Sequence, residues 1–203
     1  MDLPKRKRNR ADAELQLQNA VERLLLKGGF GTVTPNAVSS EAGLDKMLIY
    51  RYFGNLNGLM QSVIDRPGFF PSFEDLCGQD LPGLLATPPA QRTRIILQRF
   101  VEGLANSPVA LELMAWEMVE RTDLTLVAES ARESLGVRVI GELFADQDPE
   151  TVAAITTLLV SAVTYLLLRR RKIRIFDGLD LQAEATWTRL LDVAAEMVAG
   201  VLP

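Results

Sequence analysis

A pattern of two short helices joined by a tight turn is the feature that most restricts the fold of this chain. Val38 and Ala42 lie four residues apart, as they would on the inner face of a helix. Gly43 follows and has no Cβ, so its backbone can adopt a positive φ and close a three-residue turn. Asp45 then provides an N-cap for a second helix. The spacing predicts a helix-turn-helix motif.

The second helix of this motif has an apolar face and a basic face that carries tyrosines. Leu48 or Ile49 would be buried together with Phe53. The side chains left for the surface are Lys46, Tyr50 and Arg51, with Tyr52 to one side. Lys, Arg and Tyr side chains reach phosphate oxygens, and residues near the N-terminus of such a helix reach base edges. This face therefore suits a nucleic-acid groove.

Residues 29–59 resemble the DNA-binding domain of TetR-type transcriptional regulators. The matching residues are Phe30, Thr34, Val38, Ala42, Gly43, Leu44, Ile49, Tyr50, Arg51, Tyr52, Phe53 and Leu59. The resemblance covers the first third of the chain, and beyond Arg66 it rests on helix content and length. It implies an all-α protein with an N-terminal three-helix helix-turn-helix domain, residues 1–66, and a C-terminal helical ligand-binding and dimerisation domain, residues 67–203.

The resemblance also implies which side chains contact DNA. The expected DNA-binding residues are Thr34, Lys46, Met47, Leu48, Tyr50, Arg51 and Tyr52. Lys46, Tyr50 and Tyr52 would contact phosphates, with help from the second helix of the chain through its Thr34. Met47 and Leu48 would face base edges, where apolar side chains can contact the methyl group of thymine.

Several positions depart from the usual pattern of these regulators. Asp45 replaces a frequent Ser, Met47 and Leu48 replace a small residue and a Thr or Ser, and Leu56 replaces a Lys. Each change removes or opposes a phosphate contact. The alternative interpretation is a helical interaction protein whose DNA-binding motif has lost its affinity for DNA.

Charge is distributed unevenly along the chain, whose formal net charge is −4. Residues 1–66 hold ten Lys and Arg against seven Asp and Glu, whereas the remainder holds twelve against nineteen. A basic first part and an acidic body are typical of a DNA-binding protein with a separate regulatory domain. The basic residues Lys5, Arg6, Lys7, Arg8 and Arg10 form an arm before the first helix. This arm either adds phosphate or minor-groove contacts or is a solvated terminus without a specific role.

The composition argues against most enzyme classes. The chain has no histidine and a single cysteine, Cys77, so disulfide frameworks, Cys/His zinc sites and His-dependent nucleophiles are excluded within one chain. No Gly-rich phosphate-binding loop is visible. We expect no enzymatic activity, no cofactor and no metal. The basic N-terminus lacks the apolar region of a secretory signal, which favours a cytoplasmic protein.

The helical periodicity predicts helices throughout, without sustained strand alternation. A first helix covers residues 11–27, Thr34 and Pro35 begin the second, and Asn55 or Leu56 begins a fourth that runs to about Arg66. Residues 67–89, rich in Pro and Gly, form a hinge with short helical pieces near 73–76 and 81–85.

An uncharged run of 17 residues, 152–168, precedes four basic residues, 169–172. A membrane span is one interpretation, but the run is short and contains Ser and Thr, so a helix buried within and between subunits explains it better. The family resemblance implies that the last two helices pair with their copies in a homodimer. Small residues that would allow close approach are Ala153, Ala154, Ser161 and Ala162. The basic cluster would lie at a helix C-terminus, where the helix dipole favours cations.

Six apolar residues are candidates for a ligand cavity, although Met and aromatic residues at helical spacing also form ordinary core. They are Phe100, Met114, Trp116, Met118, Phe144 and Tyr165. The resemblance implies a small-molecule cavity in the C-terminal domain, and this lining would favour a largely apolar effector.

Together these features predict a sequence-specific regulator of transcription, expected to be a repressor. As a symmetric dimer it would place two recognition helices in successive major grooves of a palindromic operator, about 34–36 Å apart. A ligand that prefers another arrangement of the two DNA-binding domains would lower operator affinity by linkage. The helix after Asn55 would transmit this rearrangement between the two domains.

Overall fold

The computed structural model of the protein describes residues 10–202. In this range it has eleven α-helices, a 3₁₀ turn at Phe30–Thr32 and one β-hairpin. The helices are α1 Arg10–Gly28, α2 Pro35–Ala42, α3 Met47–Phe53, α4 Leu56–Ile64, α5 Phe73–Cys77, α6 Leu81–Leu85, α7 Pro89–Ala105, α8 Pro108–Glu117, α9 Asp123–Leu143, α10 Pro149–Arg170 and α11 Glu184–Ala199. The predicted all-α class is confirmed.

Side-chain caps explain where several of these helices begin. The Thr34 hydroxyl accepts the N–H of Ala37 at 3.2 Å, and Pro35 takes the first position of α2. Asn55 Oδ1 accepts the N–H of Gly58 at 2.8 Å, so α4 begins at Leu56. Asp148 caps α10 in the same way, through the N–H of Thr151 at 2.8 Å. These caps satisfy N–H groups that have no partner within the helix.

The hairpin lies between α10 and α11. Its strands, β1 Ile175–Phe176 and β2 Leu179–Asp180, are antiparallel, with Ile175 opposite Asp180 and Phe176 opposite Leu179. Asp177 and Gly178 both have positive φ, as a two-residue hairpin turn requires. The two short strands were not expected from the sequence, which predicted helices throughout.

The chain divides into two compact units. The first unit comprises residues 10–69 together with Glu112–Ala128, and the second unit comprises Phe70–Leu111 together with residues 129–202. The division proposed from the sequence, after residue 66, did not include the later segment. Fully buried side chains of the first unit include Leu17, Val21, Leu25, Val38, Ile49, Leu59, Met60 and Val63. The core of the second unit contains Phe73, Leu76, Leu84, Ile96, Leu143, Phe144, Val152 and Val198.

Helix α10 contains the long apolar run. It is long and apolar enough to cross a membrane by length and composition, with a mean hydropathy of 2.0 over its best window. Only 22% of that window is buried within the chain. Arg169 and Arg170 lie in its last turn, as the sequence predicted.

Candidate nucleic-acid interface

Helices α2 and α3 form the predicted helix-turn-helix. Gly43 ends α2 with φ 63° and ψ 35°, and its N–H is directed to the carbonyls of Ser39 and Ser40. The Ser39 hydroxyl donates to the carbonyl of Leu44, which closes the turn from the other side. A left-handed residue at this point reverses the chain without leaving backbone groups unpaired.

The position of α3 depends on one buried side chain and one carboxylate. Ile49 is fully buried, so it is Ile49 rather than the half-buried Leu48 that anchors the helix. The N-cap position is occupied by Lys46, whereas the sequence predicted Asp45 there. Asp45 lies one residue earlier, and its Oδ1 accepts the N–H of Met47 at 2.8 Å, at the point where α3 begins. The charge of Asp45 is therefore used at the N-terminus of the helix, where the helix dipole favours an anion.

The predicted DNA-binding residues lie at or near the surface. Thr34, Lys46, Met47, Tyr50 and Arg51 are exposed, and Leu48 and Tyr52 are half-buried. Met47 and Tyr50 retain 62% and 46% of their accessible surface, which is high for side chains that gain from burial. Helix α3 therefore presents a continuous surface of cationic, phenolic and thioether groups.

Arg10 covers one face of the Tyr52 ring. Its guanidinium carbon lies 5.2 Å from the ring centroid, and its Nε donates to Glu14 Oε1 at 2.7 Å. Arg10 is the first residue of α1, whereas the sequence predicted it in an arm before that helix. The cation–π contact could not be predicted, because it joins residues 42 positions apart. Lys5, Arg6, Lys7 and Arg8 lie outside the described residues.

Ion pairs separate the basic side chains of the first unit's residues 10–69 into two groups. Four of the six, Arg10, Arg23, Lys27 and Arg66, pair with Glu14, Glu41, Glu41 and Glu22 respectively. Within the described part of the chain, Lys46 and Arg51 are in no ion pair and both are exposed. The unpaired positive charge of this region therefore lies at α3.

The paired charges fix α1 against its neighbours. Glu41 on α2 accepts from Arg23 Nε at 2.7 Å and from Lys27 Nζ at 3.0 Å, and these hydrogen bonds lower the pKa of Glu41. Arg66, just after α4, donates to Glu22 at 2.7 Å and to Asn19 at 3.0 Å. Leu59, Met60 and Val63 of α4 are fully buried.

The six residues predicted to line a ligand cavity fall in both units. Met114, Trp116 and Met118 belong to the first unit, where Met114 is buried and Met118 is 63% exposed. Phe144 is part of the core of the second unit, and Phe100 packs against that core. Tyr165 is 44% exposed and makes an edge-to-face contact with Phe176, their centroids 5.9 Å apart.

Between α7 and α11 of the second unit lies an open cleft of about 410 Å³. Its walls include Arg94, Val101, Arg170, Trp187 and Leu191, and none of the six predicted lining residues is among the described residues that form it. Arg170 lies over the Trp187 ring, 5.6 Å from its centroid. In the described part of the chain, no group of three or more His, Cys, Asp or Glu side chains is placed to hold a metal ion.

Comparison with known proteins gives a structural likeness only. No family model and no curated protein sequence matches the chain. The crystal structure of a TetR-like transcriptional regulator from Rhodococcus sp. RHA1 matches over 98% of this chain and 100% of that one, with a TM-score of 0.64 and 20% sequence identity. The chain therefore has the fold of a TetR-like regulator along almost its whole length.

Proposed function

We propose that the protein is a TetR-type regulator of transcription that binds double-stranded DNA through α3. The observation that carries this proposal is the charge distribution of residues 10–69: Lys46 and Arg51 lie exposed at α3, while the other four cations are in ion pairs. Free cations beside an exposed tyrosine suit phosphate binding, because hydrogen bonds to phosphates set the register of a protein on DNA. The fold, shared with a regulator of this kind, supports the proposal.

Individual roles follow from position. Lys46, Tyr50 and Tyr52 contact phosphates, with Thr34 at the start of α2 and Arg51 as further contacts. Met47 and Leu48 face base edges near the N-terminus of α3. Leu56, at the first position of α4, provides no cation there.

We further propose that the protein works as a homodimer through α10 and α11. Six exposed, uncharged residues form a stripe along α10 at spacings of three and four: Ala154, Thr157, Leu158, Ser161, Ala162 and Tyr165. An apolar helical face of this size is stabilised when a second copy covers it. Such an interface also accounts for the hydropathy of α10 in a cytoplasmic protein without a membrane span.

The dimer would recognise a palindromic operator and act as a repressor under the control of a small, largely apolar effector. The proposed effector contacts are Met114, Trp116 and Met118 within the first unit, and Phe100, Phe144 and Tyr165 within the second unit. Binding of the effector and of the operator would be coupled reciprocally through the arrangement of the two DNA-binding surfaces.

The decisive experiment selects bound duplexes from a random pool and measures their affinity as a function of salt. A palindrome should emerge, and Lys46→Gln should reduce the slope of log K against log salt by about 2 per dimer, because each subunit loses one phosphate contact. Lys27→Gln is the matched control, since Lys27 is also exposed but is paired with Glu41. The salt slope of this variant should match that of the wild type. Absence of salt-dependent binding to any duplex would refute the proposed function.

A further inference from the structure

The last part of α8 belongs to the same compact unit as the helix-turn-helix. Helix α8 runs from Pro108 to Glu117, and its residues from Glu112 onward group with residues 10–69. Its first residues, up to Leu111, group with the second unit. A single helix thus contributes residues to both units.

Within the first unit, α8 contacts the turn that leads into α2. The ring of Trp116 stacks on the ring of Phe30, with centroids 5.7 Å apart and an interplanar angle of 21°. Phe30 is 5% exposed and begins the 3₁₀ turn Phe30–Thr32. The indole also lies close to the turn backbone, because a Cβ added at Gly31 would be 3.6 Å from Trp116 Cη2.

The turn is joined tightly to the helices on either side. The Thr32 hydroxyl hydrogen-bonds with the carbonyls of Leu24, at 3.1 Å, and Gly29, at 2.8 Å. The N–H of Val33 donates to the carbonyl of Phe30 at 3.0 Å, and the next residue, Thr34, caps α2. A displacement of Phe30 therefore displaces the start of the helix-turn-helix.

The Trp116 side chain is held by ring contact rather than by hydrogen bonding. Its indole N–H is buried and has no acceptor among the residues that the structure describes. A buried donor without a partner disfavours this position, so the aromatic contact with Phe30 has to compensate for it. A contact of this kind can be exchanged for another arrangement at moderate cost.

We propose that Trp116 is a positioning residue for DNA recognition: its stack on Phe30 fixes the helix-turn-helix on helix α8. This inference rests on the proposed function. With the stack in place, the two copies of α3 in a dimer are held at the separation that a palindrome requires. Without it, only a fraction of the dimers has both helices in register, and the apparent affinity falls to that fraction of its full value.

The first test compares variants of α8 on the palindrome recovered from the random pool. Trp116→Ala should weaken binding about fivefold or more, the lower end of typical coupling between two sites. Trp116→Phe retains an aromatic ring and omits the unpaired N–H, so it should restore most of the affinity. Val119→Ala is the control, because Val119 is 81% exposed in the same segment.

A duplex with a single half-site distinguishes two effects of the variant: loss of the correct positions of the two α3 helices, and local damage to one helix-turn-helix. It engages one copy of α3, so Trp116→Ala should bind it as the wild type does. Wild-type affinity of Trp116→Ala for the palindrome, or an equal loss on both duplexes, would overturn the inference. Failure of the wild type to bind the palindrome would instead refute the proposed function.

A spectroscopic test uses folded protein throughout. The chain has two tryptophans, so Trp187→Phe leaves Trp116 as the sole indole reporter. Phe30→Leu in that background should raise the quenching of Trp116 emission by acrylamide, because the ring that covers one face of the indole is lost. Quenching equal to that of the parent would show that the two rings do not stack in solution and would overturn the inference.

Discussion

Gly58 lies where α3 and α4 approach most closely. A Cβ at this position would be 2.0 Å from the carbonyl oxygen of Phe53, a backbone atom that cannot rotate away. The junction is fixed further by Asn55, whose side chain accepts the N–H of Gly58 itself. Absence of a side chain at residue 58 is therefore a condition for packing α3, the proposed DNA-reading helix, against α4.

Gly58→Ala is expected to destabilise the first unit by about 2 kcal/mol, the usual cost of forcing extra volume into a packed site. Urea unfolding followed by Trp116 emission in a Trp187→Phe background measures this change. Gly141→Ala is the control, because a Cβ at Gly141 meets no atom within 4 Å and alanine favours a helix. Equal stability of Gly58→Ala and its parent would contradict the close approach.

Glu41 makes the packing of α1 on α2 sensitive to acid. Its pKa is lowered by hydrogen bonds from Arg23 and Lys27, so its stabilising effect is complete above the ordinary glutamate pKa of about 4.3 and is lost as pH falls through the lowered value. The melting temperature of the wild type should exceed that of Glu41→Gln at pH 7 and converge with it toward pH 3. A difference that is constant across this range would argue against the ion pair.

Single residues also show what the sequence can and cannot reveal. Exposure of Lys46, Tyr50 and Arg51 was predictable, because a short helix with an apolar face that includes Ile49 leaves its cationic and phenolic side chains for the surface. Ion pairing was not, since partners such as Glu22 and Arg66 are 44 residues apart. The observation that identifies α3 as the free cationic surface therefore required the fold.

At the level of helices and strands, the sequence predicted those helices whose N-terminal N–H groups are capped by a neighbouring side chain. Thr34 with Pro35, and Asn55 before Leu56, mark starts that the structure confirms. The hairpin was missed because strands of two residues are too short to show alternation. The association of 112–128 with the first unit was also missed, because contacts between distant segments leave no periodic signal.

The Arg92 side chain links α7 to neighbouring segments of the second unit. It is 4% exposed, and its guanidinium donates to the carbonyls of Leu85, at 2.7 Å, and Thr87, at 2.9 Å, and also to the carbonyl of Leu143. It also lies over the Phe144 ring, 5.4 Å from the centroid. Helix α7 is thereby tied to the α6–α7 turn and to the end of α9.

Arg92→Met is expected to destabilise the second unit by about 3 kcal/mol, because buried carbonyls lose their donor. The control on the same helix is Arg94→Met, which removes a partly exposed pair with Asp192 and should change stability by about 1 kcal/mol or less. Urea unfolding followed by far-UV circular dichroism compares the two. Equal effects would mean that the carbonyl contacts of Arg92 contribute nothing beyond an ordinary surface pair.

The exposed stripe of α10 bears on the assembly of the whole molecule, because it is a surface that a single chain leaves uncovered. Leu158 is 72% exposed, so Leu158→Arg should leave the melting temperature of the monomer nearly unchanged while abolishing the dimer. Val137→Arg is the control, since Val137 is 62% exposed on α9, outside the stripe. Sedimentation equilibrium distinguishes the outcomes, and a dimeric Leu158→Arg variant would place the interface elsewhere.

The membership of residues 112–128 in the first unit has a consequence for modularity. A fragment that stops at residue 69 would leave Phe30 without its Trp116 neighbour, so the helix-turn-helix is not an independent module. Recombination at the Pro67-Gly68 break would cut through a shared packing arrangement. A specificity swap between related proteins would have to transplant both stretches of chain together.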